Sequence, residues 1–377
     1  MPLRILHAHS TFSLGGKEAR AVRLMNAWGD AAHHTMLSGM PDQLGARDAI
    51  APGIRADFPA DAPSLTGRFG LARLFRLARY MRRFDLVLTY NWGAFDAVMA
   101  RHLFHGPPLV HHEDGFNEDE ADGLKAGRNL YRRLGLRSAH KLVVPSERLE
   151  AIARTAWGQG DARIARISNG IPLARFEQVP APDAISGFAR RDGELVVGTV
   201  AGLRKIKNLP RLVRVFAAGL RDQPARLVIV GEGPEQGAIL AEAERLGIND
   251  RVHLPGFLPD PARYMGLFDI FALSSDSEQF PISLVEAMAA GLPAVTTRVG
   301  DIARMVAAEN AAFIIPADDE EAIGAALERL ATDPDLRRRI GGANRAKARA
   351  EYDEAAMIRA YARLYGEAIG RPDAFSF

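Results

Sequence analysis

The chain has 377 residues, too many for one ordinary core, and its 47% hydrophobic and 25% charged content is typical of a soluble globular protein, so we expect two domains. It contains no cysteine, which excludes disulfides and a cysteine-based zinc site. No apolar run approaches the roughly 18 residues that span a bilayer, and no signal-peptide core precedes the first apolar segment, so we expect a cytoplasmic protein.

The charge is spread unevenly along the chain. Residues 1–170 hold 23 Lys and Arg against 17 Asp and Glu, a net charge of +6, whereas the remainder carries −4. We therefore expect the basic N-terminal half to meet something anionic. The pattern does not indicate a nucleic-acid partner.

The first half alternates between strand and helix patterns. A buried strand is predicted over Arg4–Ala8, followed by the glycine pair Gly15–Gly16 and a helix. Three further short apolar runs separate helical stretches: Leu86–Thr89, Leu109–Val110 and Lys141–Pro145. This alternation predicts a parallel sheet that is covered on both faces.

The second half restarts the same pattern. A strand over Leu195–Val200 leads into the basic loop Arg204–Asn208 and a helix. Four more strands are predicted: Arg226–Val230, Val252–Leu254, Ile270–Leu273 and Ala294–Thr297. The turn Ser168–Pro172 predicts a boundary between domains at 1–170 and 171–353, and the amphipathic helix Glu354–Ala368 is expected to bring residues 354–377 back to the first domain. We expect an α/β protein whose two doubly wound sheets face a ligand across a cleft.

The segment Ser274–Pro293 places two carboxylates around the start of a predicted helix. Pro281 is expected at the first helical position, so Glu278 lies in the preceding loop and Glu286 about one and a half turns into the helix. The free backbone N–H groups of the first turn favour an anion. Two carboxylates that can bind hydroxyls beside an anion site suit a nucleotide sugar.

Motifs along nearly the whole chain resemble those of retaining glycosyltransferases of family 4, the glycosyl transferases group 1. The matching segments are Gly15–Glu18, Ser168–Phe176, Leu203–Asn208, Val230–Pro234, Leu254–Phe257 and the carboxylate segment. The most specific is the last, in which seven residues separate two glutamates. The resemblance implies the GT-B fold of two Rossmann-like domains, and transfer of a hexose from a nucleotide sugar to an acceptor hydroxyl with retained configuration, without a metal or cofactor.

The resemblance also implies roles for the charged residues of the second domain. Glu278 would bind hydroxyls of the donor sugar, and Glu286 those of the nucleotide ribose. Arg204 and Lys207 would bind the diphosphate and stabilise the charge that develops on it. Many family members carry arginine at the position of Gly202, so Arg204 is expected to replace it.

Further donor contacts follow from the same resemblance. Gly15 and Gly16 would let the backbone approach the diphosphate or the acceptor closely, because side chains there would block it. The remaining donor-binding residues are expected at strand and helix ends: Gly231, Leu258, Phe280, Ile282 and Ser283.

The acceptor side departs from the family pattern. Many members have a histidine before a glycine at the end of this strand, and alignment on Gly115 puts Asp114 at that place. Either Asp114 replaces the histidine or His112 reaches in from an altered loop. We favour Asp114 near the reacting centre, with His112 as its neighbour.

Two other functions are weighed against transfer. His7 and His9, with His111 and His112, could form the centre of a metal-dependent hydrolase, although the glycine loops and repeated Rossmann pattern argue against this. A sugar-nucleotide epimerase or a non-catalytic relative would keep the GT-B fold. The presence of both sugar-facing carboxylates argues against a non-catalytic copy.

One stretch of the first half is strongly basic. Residues 68–83 contain six arginines and no acidic residue, with apolar residues at helical spacing. These are expected either to pack a surface helix on its own sheet or to dock transiently on an anionic membrane, where a lipid-linked acceptor would wait. Polysaccharide or lipid-linked glycan assembly is the expected process.

Overall fold

A computed structural model describes residues 2–13, 15–68, 70–116, 120 and 124–375. The chain divides into two compact units. Unit 1 comprises residues 1–169 and 355–377, and unit 2 comprises residues 170–354. Each unit is built on one parallel sheet.

Unit 1 contains a seven-stranded parallel sheet with the order β3-β2-β1-β4-β5-β6-β7. Its strands are β1 Leu3–His9, β2 Ala32–Ser38, β3 Ala56–Asp57, β4 Leu86–Tyr90, β5 Leu109–His112, β6 Lys141–Val144 and β7 Ile164–Arg166. Its helices are α1 Gly16–Trp28, α2 Leu71–Met81, α3 Phe95–Phe104, α4 Ala126–Gly135, α5 Glu147–Thr155 and, at the end of the chain, α12 Glu354–Ala368. Helices α2, α3 and α5 share one apolar cluster, whereas α1 and α12 share another. The sheet is therefore covered on both faces, as the strand pattern predicts.

Unit 2 contains a six-stranded parallel sheet with the order β10-β9-β8-β11-β12-β13. Its strands are β8 Leu195–Val200, β9 Ala225–Val230, β10 Val252–Gly256, β11 Ile270–Leu273, β12 Ala294–Thr297 and β13 Ile314–Ile315. Its helices are α6 Leu209–Gly219, α7 Gln236–Arg245, α8 Ile282–Ala289, α9 Ile302–Met305, α10 Glu320–Thr332 and α11 Pro334–Glu351. Two apolar clusters again cover the two faces of the sheet.

One local expectation is wrong. Pro281 was predicted as the first helical residue, but its ψ of 108° is extended, and α8 begins at Ile282. Because Pro281 has no N–H, the next residues supply the free donors of the first turn. Glu286 becomes the fifth residue of α8, and the positive φ of Gly291 ends the helix as predicted.

Candidate active site

The loops after β8 and β11 meet where the strand order of unit 2 reverses. These two strands are neighbours, but the chain runs from β8 outward to β9 and from β11 outward to β12. In open parallel sheets such a reversal leaves a crevice beyond the carboxyl ends of the strands, where ligands bind. Residues 201–208 and 274–281 form its two rims.

A charge-assisted hydrogen bond joins the two rims. Lys207 Nζ donates to Glu278 Oε1 over 2.6 Å, and Ser275 Oγ donates to the same oxygen over 2.8 Å. Glu278 is 8% exposed, and the Lys207 side chain is 15% exposed. The predicted sugar-binding carboxylate and phosphate-binding cation therefore lie side by side, although 71 positions separate them in the chain.

Side-chain hydrogen bonds hold the rims at this spacing. Asn208 adopts the left-handed conformation and caps α6 by accepting from the Arg211 N–H. Asp276 accepts from Asn208 Nδ2 over 3.1 Å and from Arg211 over 2.7 Å. Ser274 Oγ donates to the Asn208 carbonyl over 2.9 Å. The loop that carries Glu278 is thus tied to the start of α6.

The side chain of Arg204 lies over Gly202, two residues earlier in the chain. Its backbone is extended at the start of the turn Lys205–Lys207, and its side chain is exposed. A Cβ added at Gly202 would lie 3.6 Å from Arg204 Nε, so the arginine folds back over Gly202. This is the position at which the resemblance leads us to expect an arginine.

Helix α8 presents Glu286 beside a buried tyrosine. Glu286 is 8% exposed and lies among fully buried neighbours, including Leu284 and Val285. Burial, followed by the charge of Glu286, raises the pKa of Tyr264. Ile282 and Ser283 form the first turn of α8, which has no side-chain cap, so their N–H groups remain available to an anion.

Phe280, just before α8, is half-buried against the core of unit 2. Its ring meets that of Tyr352 edge-on, with centroids 5.7 Å apart. Leu258 is also half-buried, and its carbonyl accepts from the Tyr264 hydroxyl over 3.4 Å. Both residues lie on segments that follow sheet strands.

Gly231 has a clear structural reason to be glycine. Its φ is +146°, and a Cβ there would lie 1.9 Å from the Ala201 carbonyl oxygen. The loops after β8 and β9 therefore touch backbone to backbone. The Gly231 N–H also donates to the Gly256 carbonyl over 2.9 Å, so the end of β10 contacts the same two loops.

In unit 1, the glycine pair lies at the start of α1. Gly15 is the extended N-cap and makes no side-chain cap, and Gly16 is the first helical residue. A Cβ at Gly15 would lie 2.9 Å from Glu18 Oε2. The Lys17 ammonium contacts the Glu18 carboxylate, yet burial raises the pKa of Glu18. A cation and a buried carboxylate therefore flank the start of α1, which has no side-chain cap.

Asp114, directly after β5, is bound by a buried arginine. Arg20 on α1 donates from Nη2 to Asp114 Oδ2 over 2.8 Å, and its Nη1 contacts the other oxygen. Arg20 Nη1 also donates to Asn169 Oδ1 over 2.9 Å, and the Asp114 N–H donates to Asn91 Oδ1 over 2.8 Å. The Arg20 side chain is 2% exposed and that of Asp114 14%.

Three members of this network, Arg20, Asn91 and Asn169, were missed at the sequence level. Only Arg20 carries a signal, because a charged residue among Ala19, Ala21 and Val22 on a predicted helix face needs a partner. Sequence separations of 94 and 149 residues hide the contacts themselves.

His112 is fully buried and bonded inside unit 1. Its Nε2 lies 2.6 Å from the Tyr365 hydroxyl and its Nδ1 3.1 Å from the Thr89 carbonyl oxygen. Both ring nitrogens are therefore occupied, and His112 cannot contact an acceptor without leaving these bonds. His111 points to the opposite face, where its Nδ1 lies 2.8 Å from Thr89 Oγ1.

The histidines do not form a metal centre. Within the described ranges there is no group of three or more His, Cys, Asp or Glu side chains that could hold a metal ion. His7 bonds to His34 over 2.9 Å and to Tyr90 over 3.2 Å, while His9 stacks on Tyr90. These rings form a buried hydrogen-bonded and stacked cluster, so the geometry does not support the metal-dependent hydrolase.

Two family profiles match most of the chain in succession. Residues 15–170 match the profile described as "Glycosyl transferase 4-like domain", and residues 183–347 match "Glycosyl transferases group 1". The chain belongs to the glycosyl transferases group 1 family. The match confirms the family that the motifs predict. It also confirms that the protein is a glycosyltransferase.

Curated relatives align over different lengths. A lipopolysaccharide core biosynthesis glycosyltransferase, LpsD of Rhizobium meliloti, is 24% identical over 98% of this chain and 100% of its own length. N-acetyl-alpha-D-glucosaminyl L-malate synthase of Bacillus anthracis is 28% identical over 47% of this chain. In that second case the alignment spans about half the length of the relative, 47%.

A solved structure shares the fold of the glycosyltransferase. Anabaena HepE, in complex with UDP and glucose, superposes with a TM-score of 0.78 at 19% identity, over 97% of this chain and 100% of HepE. The fold is GT-B, as predicted. Among the described helices, none combines the length and the apolar character that crossing a membrane requires.

Proposed function

We propose that the glycosyltransferase moves a hexose from a nucleotide sugar to an acceptor hydroxyl with retained anomeric configuration. The observation that carries this proposal is the contact between Lys207 and Glu278 at the strand reversal of unit 2. Glu278 can bind sugar hydroxyls, and Lys207 can bind a phosphate oxygen. A ligand that joins sugar to phosphate would therefore contact both.

Each donor group has a residue suited to it. Glu278 would accept hydrogen bonds from hydroxyls of the transferred sugar, and Glu286 from those of the ribose. Arg204 and Lys207 would bind the diphosphate together with the N–H groups at the start of α8. As the bond from the anomeric carbon to the diphosphate breaks, these cations stabilise the charge of the leaving group.

We propose that the reaction needs no metal ion, because the side-chain cations of Arg204 and Lys207 would neutralise the diphosphate in place of a metal. Arg204 over Gly202 and Lys207 beside Glu278 supply two positive charges at the rim. Transfer should keep its rate when EDTA is added and the protein is freed of metal. A rate that falls with EDTA and returns with a divalent cation would contradict this.

On the acceptor side, we propose that Gly15, Gly16 and Asp114 approach the reacting centre. Asp114 keeps 14% of its side chain exposed while Arg20 binds both of its oxygens, so it can accept a hydrogen bond in a fixed direction. We assign it to orient the acceptor hydroxyl. His112 supports the strand below it rather than the acceptor, because its nitrogens are already bonded.

The acceptor is proposed to be a glycan or a lipid-linked glycan, in polysaccharide or lipopolysaccharide assembly. A relative that aligns over its full length is named for lipopolysaccharide core biosynthesis. The basic stretch of residues 68–83 agrees with an acceptor held at an anionic surface. We propose that the enzyme works at the inner face of the membrane as a peripheral protein.

A two-step experiment tests this function. Thermal-shift measurements with UDP-, GDP- and ADP-sugars would find the donor, and UDP is the first choice because HepE binds it in its solved complex. NMR of the product with that donor would then show the anomeric configuration. An inverted product contradicts retention. An epimerised free sugar nucleotide, with no transfer, would indicate an epimerase instead.

A further inference from the structure

Helices α2 and α4 of unit 1 lie on either side of α3, on one face of the sheet. The ring of Phe75 on α2 meets that of Phe104 on α3 with centroids 5.4 Å apart, and Tyr131 on α4 meets Phe95 on α3 at 5.6 Å. Asp96 of α3 contacts Arg73 of α2 and accepts from the Tyr131 hydroxyl over 3.1 Å. The outer surfaces of α2, α3 and α4 are therefore neighbours.

Large apolar side chains project from these outer surfaces into solvent. The core stripe of α2 is buried through Leu74, Leu77, Ala78 and Met81. Beyond that stripe, five side chains are exposed by 37% to 61%: Leu71, Phe75, Leu103, Leu130 and Leu134. A single exposed leucine is ordinary, but five on three adjacent helices form a row that suits an apolar partner.

The same surfaces are basic. Residues 62–84 carry six arginines, residues 124–146 carry six Lys and Arg, and neither stretch contains an acidic residue. Arg73 is used against Asp96 and Arg132 against Glu120. Six arginines stay exposed, and within the described residues none of them pairs with a carboxylate: Arg76, Arg79, Arg82, Arg83, Arg133 and Arg137.

We propose that these residues form a docking surface for an anionic lipid bilayer. This α2–α4 surface consists of the five exposed apolar side chains and the six exposed arginines named above. The apolar tips would enter the boundary between headgroups and acyl chains, and the guanidinium groups would bind lipid phosphates. A second copy of this chain would bring like charges together, which disfavours it as the occupant.

The surface extends the membrane contact from one helix to three and gives it apolar anchors. It rests on the proposed function only in supplying a reason for docking, namely an acceptor held at the bilayer. A flat array of three helices fixes the orientation of unit 1 on the membrane, which a single basic helix could not do.

Vesicle co-sedimentation of the full chain tests the docking. We expect binding to vesicles of phosphatidylcholine mixed with phosphatidylglycerol, little binding to phosphatidylcholine alone, and weaker binding at high salt. The double variant Arg76→Gln and Arg79→Gln should bind about 25-fold more weakly, because each charge near the surface contributes about a factor of five. The pair Phe75→Ser and Leu130→Ser should lose about tenfold or more.

Matched changes in unit 2 serve as controls. Arg221→Gln with Arg339→Gln removes the same charge, and Leu240→Ser removes an exposed helical leucine of similar exposure, 45%. Both controls should bind vesicles like the unchanged protein. If the controls lose as much vesicle binding as the variants of the α2–α4 surface, net charge or general hydrophobicity causes the binding and the proposed docking surface is wrong.

Other outcomes also decide the proposal. No binding to anionic vesicles, or equal binding to neutral ones, overturns it. A concentration-dependent dimer that the Phe75→Ser and Leu130→Ser pair abolishes would make a second copy the occupant. A nucleotide-induced thermal shift, measured without vesicles, distinguishes failure of the docking surface from failure of the proposed function. A thermal shift without vesicle binding contradicts only the docking surface. Vesicle binding without any thermal shift contradicts only the proposed function.

Discussion

Glu278 in unit 2 and Asp114 in unit 1 both follow a strand of a parallel sheet, and a basic side chain binds each. Lys207 lies on a loop, keeps 15% of its side chain exposed and makes one hydrogen bond to Glu278. Arg20 lies on a helix, is 2% exposed and contacts both oxygens of Asp114.

The Lys207–Glu278 pair is therefore suited to bind a ligand, whereas the Arg20–Asp114 pair is suited to stabilise the fold. A partly exposed lysine on a flexible stem can turn from a carboxylate to an incoming phosphate at little cost. A buried guanidinium cannot leave its carboxylate without stranding a charge away from water. We therefore expect changes at Glu278 and Lys207 to reduce catalysis, and changes at Arg20 to reduce stability.

Loss of Glu278 should have the largest effect. The variant Glu278→Ala is expected to lower kcat/KM about 10³-fold or more while nucleotide affinity stays within a few-fold, because the sugar loses its carboxylate and the nucleotide does not. Steady-state kinetics and nucleotide titration measure the two quantities. The control Glu309→Gln, an exposed glutamate of unit 2, should leave both unchanged. Wild-type activity in Glu278→Ala would refute its role.

Loss of Arg20 should destabilise unit 1 by about 3–5 kcal/mol, because Asp114 remains as a largely buried charge without its partner. The double change Arg20→Met and Asp114→Asn should cost less than Arg20→Met alone, since it removes both charges. Chemical denaturation of the four proteins in this cycle measures the coupling. Additive losses would mean that the pair is not energetically coupled.

Lys207→Met should reduce kcat about 10²-fold, because the proposed site loses one of the two cations that would stabilise the leaving diphosphate. It should lower the free energy of unfolding by about 1–3 kcal/mol, less than loss of Arg20, since Ser275 Oγ still donates to Glu278 Oε1. Lys205→Met is the matched control, because Lys205 lies in the same turn but points to solvent. Equal losses in the two variants would show that net charge matters rather than the contact with Glu278.

Glu286→Ala should weaken nucleotide binding about tenfold, as expected when a buried carboxylate stops accepting hydrogen bonds from a bound hydroxyl. Isothermal titration with the nucleotide found by thermal shift measures this directly. A deoxyribose analogue should bind wild type more weakly but should bind the variant like the ribose form. If the variant still prefers ribose, Glu286 does not contact the ribose.

The buried histidines of unit 1 should make the stability of this unit depend on pH. Burial lowers the pKa of His7, His9 and His112 well below 6.5, and that of His34 to about 4. The unfolded chain therefore binds protons as pH falls below about 6.5, while the folded chain does not. The stability present above pH 6.5 should be lost toward pH 4, by about 1 kcal/mol per pH unit for each histidine.

Denaturation midpoints measured between pH 7.5 and 5 would check this slope. Changing His34 to asparagine removes one buried titrating group and should make the slope shallower. An unchanged midpoint across this range in the unmodified protein contradicts the prediction.

The proposed donor residues could be located from the sequence because they lie within two short segments. Glu278 and Glu286 follow one strand, and Arg204 and Lys207 follow another. A strand end, a basic loop and a helix start are local patterns, and they place side chains at the carboxyl edge of a sheet before any tertiary contact is known. The prediction that Arg204 replaces the usual arginine came from the family resemblance and stays a prediction, although the Arg204 side chain does approach Gly202.

The acceptor side could not be predicted in the same way. The sequence placed Asp114 correctly after a strand, but the bond from Arg20 crosses 94 positions, and the bond from Tyr365 that occupies His112 crosses 253. Strand β2 was not predicted either, because its two histidines interrupt the apolar pattern, and the burial of His34 is compensated by its bond to His7.

The sequence by itself determined the family, the two parallel sheets and the residues that lie at the strand ends and the helix start of unit 2. All of these depend on short-range patterns of apolar residues, glycines and charges, which fix backbone geometry within a few turns. Only the tertiary structure decided that Asp114 is bound by Arg20, that His112 is internal and that α2 and α4 present one surface. Those outcomes depend on which distant side chains meet inside a core, where a buried charge or polar atom must find whatever partner the packing brings to it.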